Sequence, residues 1–194
     1  DGVPGAWDIN CNCVPSPLEA CDNPDYSSSP GLPIGPDFNT DTRDTITIDL
    51  ENSAVLLDLD IILDFSHDDF DDVEVFLQAP NGEEFSLFTD ICGGFPAPGG
   101  GAIIRLNDGA DLPINEACNP DFPELLYGEF QTEDGIGGND LSEFNGFQFE
   151  GDWVLRIRDD AGGDAGILNS WCLKPLLQTE ICETPDVELV AVDA

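Results

Sequence analysis

Residues 151–173 read G-D-W-V-L-R-I-R-D-D-A-G-G-D-A-G-I-L-N-S-W-C-L. Trp153, Leu155 and Ile157 alternate with Val154, Arg156 and Arg158, the period of a strand with one apolar face. A Gly/Asp loop follows, and a second strand starts near Ile167. The stretch predicts a β-hairpin with an acidic, glycine-rich tip. Trp153 and Trp171 are expected in the core, since aromatic side chains on inward strand faces carry most of a sandwich's burial. Arg156 and Arg158 are expected to pair with acids on a neighbouring strand or to dock an acidic molecule.

The same period recurs upstream. Ile46, Ile48 and Leu50 alternate with Thr and Asp. Leu57, Leu59, Ile61, Leu63 and Phe65 alternate with Asp58, Asp60, Ile62 and Asp64, giving one oily and one largely acidic face. Val73, Val75 and Leu77 run into Pro80-Asn81-Gly82, and Phe85 and Leu87 run away from it. Asn-Gly between alternating runs predicts a hairpin with a type I′ turn. Residues 92–148 are rich in Gly and Pro around one strand at residues 102–106, and predict a long decorated loop. No helix of ordinary length and no internal repeat is visible.

The totals frame this pattern. In 194 residues, 5 Lys+Arg face 41 Asp+Glu, a formal charge of -36, yet 41% of residues are hydrophobic. Disorder combines high charge with low hydrophobicity, so strand-like apolar runs point to a folded core under an acidic skin. Such a skin repels nucleic acid and anionic lipid surfaces and suits divalent cations or cationic partners. It fits a salt-rich setting, where charges are screened over shorter distances. No apolar run reaches the roughly 20 residues of a membrane helix, and no basic, apolar leader opens the chain at Asp1. The expectation is a mature piece of something longer.

Gly151, Trp153, Leu155, Asp159, Gly163, Asp164, Gly166, Leu168, Asn169, Ser170 and Trp171 together resemble the end of the P domain. That β-sandwich follows the catalytic domain of subtilisin-like proprotein convertases and occurs in many secreted bacterial proteins. Residues 30–40 resemble the loop leading into the first family strand, and residues 141–146 resemble a later family segment. The resemblance implies an all-β, jelly-roll-type β-sandwich over residues 31–178. A Cys-rich linker or module end (1–30) precedes it, and residues 179–194 start a following domain or form an assembly strand, with Val187, Leu189 and Ala191 alternating. Trp7 to Val14 resembles the closing phrase of Cys-rich linkers in Bacteroidetes-type surface proteins, which places a partner for Cys11 or Cys13 upstream.

Seven cysteines and one histidine give no zinc spacing, so disulfides in an exported chain are expected. Cys92 and Cys118 bracket the irregular loop and are expected to pair, closing about 27 residues, worth about 3–4 kcal/mol by chain entropy. Cys182 is expected to pair with Cys172 or with Cys21, and the odd count leaves at least one cysteine for another chain or unpaired.

Catalysis has little to build on. His67 is the single imidazole, no G-x-S-x-G elbow occurs, and acids are too abundant for any pair to signal glycoside hydrolysis. His67 resembles a scaffold histidine of P domains. Calcium, which takes six to eight oxygens, fits better. Asp68, Asp69, Asp71 and Asp72 form one cluster, and Asp159, Asp160 and Asp164 another; neither has EF-hand spacing. The resemblance places Asp72, Asp159 and Asp164 at acidic positions near calcium in some members, and Asp108 on an acidic element. Asp71 stands where the family usually has Gly, which puts that turn in question. Surface aspartates capping turns are the bland alternative.

The expected function is a non-catalytic, calcium-stabilised extracellular or cell-surface module of a bacterial protein, serving adhesion or an extracellular structure. Its partners would be neighbouring domains, or further copies in an oligomer or filament. The alternatives are an accessory domain of a secreted subtilisin-like protease and a repeat subunit of an extracellular filament.

Overall fold

The computed structural model describes residues 6–7, 13–14, 21, 23–92, 100–117, 125–133 and 140–179. Its strands are β1 (Ala6–Trp7), β2 (Cys13–Val14), β3 (Ser27–Ser28), β4 (Leu32–Ile34), β5 (Thr40–Ile48) and β6 (Ala54–His67). They continue with β7 (Val73–Gln78), β8 (Glu84–Thr89), β9 (Gly100–Leu106), β10 (Leu125–Phe130), β11 (Gly151–Asp159) and β12 (Gly166–Thr179). Four short 3-10 turns are the only helical elements among the described residues. None is long and apolar enough to cross a membrane.

Apart from the small β1–β2 pair, the strands form two sheets, as the alternation requires of a β-sandwich. One has the order β5-β11-β7-β8; the other runs β10-β9-β6-β12-β3, with β4 also on β12. Trp153, Leu155 and Ile157 face Leu59, Ile61, Leu63, Phe65 and Trp171 within one core, all at most 1% exposed. Each buried tryptophan removes about 150–250 Å² from water, roughly 4–6 kcal/mol at about 25 cal/mol/Å². Their indole N–H groups are satisfied as well, by Phe149 O at 2.9 Å and Asp44 Oδ2 at 2.7 Å.

The expected hairpin at residues 151–173 is two strands in two different sheets. β11 pairs with β5 along nine residues and with β7 on its other side, so both its edges are occupied. β12 joins β6 instead, and the Gly/Asp loop carries the chain from one layer to the other. The hairpin at Pro80-Asn81-Gly82 forms, but its turn differs from type I′. Gly82 N–H donates to Ala79 O and Ala79 N–H to Glu83 O, both at 2.9 Å, and only Gly82 has a left-handed φ, 88°. Pro80 fixes φ near −65°, which suits the first central position of a type I turn with Gly82 as a bulge.

Two further expectations change. Leu57 is 46% exposed while Leu56 is buried, because the β6–β12 register shifts by one residue between Leu176 and Leu177 and turns Leu57 outward. Within the supposed loop of residues 92–148, β10 pairs parallel to β9. A parallel neighbour needs a long crossover, and residues 107–124 supply it.

Part of the expected N-terminal linker is joined to the sandwich. Ser27 and Ser28 pair with Cys172 and Trp171, and Tyr26 packs edge-on against Phe149 at 5.2 Å. The pairing brings Cys21 beside Cys172, and the two form a disulfide with Cα atoms 5.8 Å apart. Cys21 and Cys172 therefore take each other and not Cys182, which lies outside the described residues. Cys92 is disulfide-bonded; its expected partner Cys118 also lies outside them.

Candidate functional site

Both acidic clusters of the sequence meet at one pole of the sandwich. Asp69 caps the 3-10 turn Phe70–Asp72, its Oδ1 accepting from Asp71 N at 3.0 Å. This turn uses no left-handed residue, so Asp71 fits where a glycine was expected. The loop after β11 is tied to it: Asp160 N donates to Asp72 O, Asp68 N to Ala165 O, and Ala165 N to Asp68 Oδ2. Two β-strand ends from opposite sheets are thus laced together through loops that are themselves acidic.

The lacing brings Asp69, Asp72 and Asp164 into one group, with a carboxylate oxygen of each within 4.8 Å of the others. Partial burial pushes the Asp72 carboxyl up, and repulsion from Asp69, Asp159 and Asp164 pushes it further; His67 opposes them. Asp160 goes elsewhere, forming a second group with Glu74 and Asp90. Asp90 is pushed up to about 6 by loss of water around its carboxyl and then by Asp160 and Glu74. Glu74 and Asp90 were not singled out from the sequence. Glu74 lies two residues beyond Asp72, on β7 just after the 3-10 turn, and Asp90 N donates to Val73 O, a contact no linear spacing announces.

Asp159 is the most constrained member. It is 0% exposed, its Oδ1 accepts from Ala161 N at 3.1 Å, and its Oδ2 has no hydrogen-bond partner. Oδ2 lies 3.5 Å from His67 Nε2, which is also buried and unpartnered. Oδ2 and the Asp164 carbonyl converge on Gly35: a Cβ there would sit 2.1 Å from the first and 2.7 Å from the second. Gly35 has φ 65°, so only glycine suits both the backbone and this space. His67 works on the other side of the turn, its Nδ1 lying 2.5 Å from Asp69 O.

Asp108 joins neither group. Its two carboxylate oxygens accept from Leu141 N at 2.9 Å and Ser142 N at 2.8 Å, which caps the 3-10 turn Leu141–Phe144. The two stretches singled out in the sequence are therefore partners in structure.

The arginines are engaged on the outer sheet faces. Arg156 bonds Glu84, reaches Asp41 at 3.5 Å, and stacks 3.7 Å from the Phe76 ring centre. Arg158 pairs with Glu74 and Asp41, and Arg105 links Asp60 to Glu129. This agrees with the expected pairing to acidic neighbours.

An all-oxygen donor set of three convergent carboxylates, a buried unpartnered carboxylate oxygen and a nearby carbonyl fits a hard cation such as calcium. Asp69, Asp72 and Asp164 would hold it, with Asp159 beside them. Bound there, it would supply positive charge that cancels their repulsion and would pin the two loops.

No family model matches this chain, and no curated protein does. Among solved structures it is similar to a serine protease of Aeromonas sobria, with 14% identity and a TM-score of 0.40, over 77% of this chain and 26% of that one. The complex of that protease with its chaperone gives 14% identity and a TM-score of 0.43, over 80% and 26%. The chain thus spans about a quarter of the length of these neighbours. At that level of similarity, function has to rest on the residues themselves.

Proposed function

We propose that this chain is a non-catalytic extracellular module whose loop pole is set by calcium, and that it serves adhesion or the building of an extracellular structure. The observation that carries the calcium reading is the buried, unpartnered Asp159 Oδ2 beside the convergent Asp69, Asp72 and Asp164. A buried carboxylate oxygen that faces His67 Nε2 at 3.5 Å without a hydrogen bond is unfavourable, and a cation in the adjoining group offsets it. The Cys21–Cys172 disulfide supports an oxidising location. The non-catalytic reading is supported by His67, which is 1% exposed and so out of reach of a substrate. The P-domain resemblance of residues 151–171 supports the same reading.

Thermal unfolding with calcium and with chelator, at fixed high ionic strength, tests it. At about 100 times its dissociation constant, a ligand of the folded state adds about 2.7 kcal/mol, a shift of several degrees. The shift is expected in the parent chain and in Asp152→Ala, and should disappear in Asp164→Ala. No shift, or an equal shift in Asp164→Ala, would make the aspartates solvated skin.

A further inference from the structure

Asp69, Asp72 and Asp164 are each half-buried, so one side of their group is open to solvent. Asp159 is the independent sign of a cation at this place. It is 0% exposed, its Oδ2 has no hydrogen-bond partner, and it lies close enough to repel the Asp72 carboxyl. One oxygen from each of these four carboxylates leaves the shell of six to eight oxygens that calcium takes short by roughly two or more. The second oxygen of Asp69 is already spent on Asp71 N. The missing oxygens have to come from the solvent side.

The loop that carries Asp164 is flanked by an aromatic ring. Gly163 N donates to Pro36 O at 3.1 Å, and a Cβ on Gly162 would lie 3.5 Å from Phe38 N, an ordinary contact. Phe38 is 70% exposed, the most exposed large apolar side chain among the described residues. Gly162 and Gly163 are exposed as well, and a Cβ on Gly163 would meet nothing within 4 Å. From Gly162 to Asp164 the chain spans at most about 7 Å. An aromatic ring, a bare stretch of backbone and the carboxylate group therefore lie side by side on one open surface.

We propose that the calcium-loaded pole binds a neutral glycan, with two vicinal sugar hydroxyls completing the ion's shell and the sugar ring resting on Phe38. This rests on the calcium reading above and names the ligand through which the module adheres. A vicinal diol brings two oxygens to one ion in a single molecule. The carboxylates outweigh the two positive charges of the ion, and the chain carries a formal charge of -36, so an anionic ligand is repelled. The charged groups of a basic peptide carry only donors and cannot enter the ion's shell. Hydroxyls escape both objections. The negative face of the Phe38 ring attracts the C–H groups of a pyranose, which gives an aromatic side chain kept in water something to bind.

Retention of the full chain on immobilised mannan, galactan and glucan, and on a polyuronate, tests the proposal. It is measured in calcium and in chelator at high ionic strength, with the calcium-induced shift in thermal midpoint read on the same samples. Retention on at least one neutral polymer is expected in calcium and should be lost in chelator. Phe38→Ala should weaken it at least tenfold and keep the full calcium shift. Leu176→Ala removes another exposed apolar side chain, at the other end of β12, and should leave retention unchanged. Asp164→Ala should lose both retention and shift. A calcium shift without retention on any neutral polymer overturns the proposal and leaves the calcium reading standing. Retention on the polyuronate alone, or undiminished in Phe38→Ala, does the same. Absence of the calcium shift overturns both.

Discussion

Replacing both Cys21 and Cys172 by alanine removes a crosslink that spans 151 positions of sequence. For a loop of that size, the chain-entropy relation gives about 5 kcal/mol of stabilisation through the unfolded state. The disulfide at Cys92 shortens the effective loop only if nested inside it, and the dependence on length is logarithmic, so the figure barely moves. Among the described residues before β4, β3 pairs through two residues and Tyr26 rests on Phe149. A domain of this size is stable by about 5–15 kcal/mol, so the variant should lose a third or more of its stability. Guanidinium unfolding followed by the fluorescence of Trp153 and Trp171 measures it, with the Cys92 bond left oxidised. The midpoint should fall and the slope rise, since the uncrosslinked denatured chain exposes more surface. Exchange at Ser27 and Ser28 should accelerate more than at Ile61. A loss below about 1 kcal/mol, with Ser27 and Ser28 still protected, would refute the reasoning and show that packing alone anchors the segment.

Two other perturbations are specific. Gly166→Ala would put a Cβ 1.9 Å from Ser66 O and 2.9 Å from His67 Cα, backbone atoms that cannot swing aside; a loss of about 3 kcal/mol or more is expected, and an unchanged thermal midpoint would contradict it. Asp90, with a folded pKa of about 6 against an ordinary 3.8, opposes folding when charged, so in chelator its contribution to stability should rise as pH falls from 7 through 6 toward 4. Asp90→Asn should be more stable than the parent at pH 7 and equal to it near pH 4; urea midpoints at both values decide, and a variant no better at pH 7 would count against the crowding.

The strands were legible because alternation records which face is buried, and this holds for β5, β7, β9 and β11; β12 instead buries Trp171, Cys172 and Leu173 in succession. Alternation does not record which strand lies next to which. β11 followed by β12 has the same pattern whether the chain folds back within a sheet or crosses to the other, and the choice was made by β5 and β7 occupying both edges of β11. Leu57 was misplaced because a one-residue bulge reverses the alternation without changing composition. The turn at Pro80 was misread because Asn81-Gly82 was weighed without the constraint proline sets on the residue before them. At the site, Asp69, Asp72, Asp159 and Asp164 were legible as clusters. Their joining, and the recruitment of Glu74 and Asp90, depended on loops packing across the sandwich, which an acid-rich sequence cannot signal.

Next to the central strand β6 of the larger sheet lies β12, the last of the described strands. β6 waits for a neighbour that lies more than a hundred residues downstream, and until β12 arrives one of its long edges and the apolar face behind it stay uncovered. A chain emerging from its N-terminus therefore cannot close its core piece by piece; nearly all of it has to be delivered first. Contacts this distant in sequence slow folding, and they leave the polypeptide open until the whole of β12 is available.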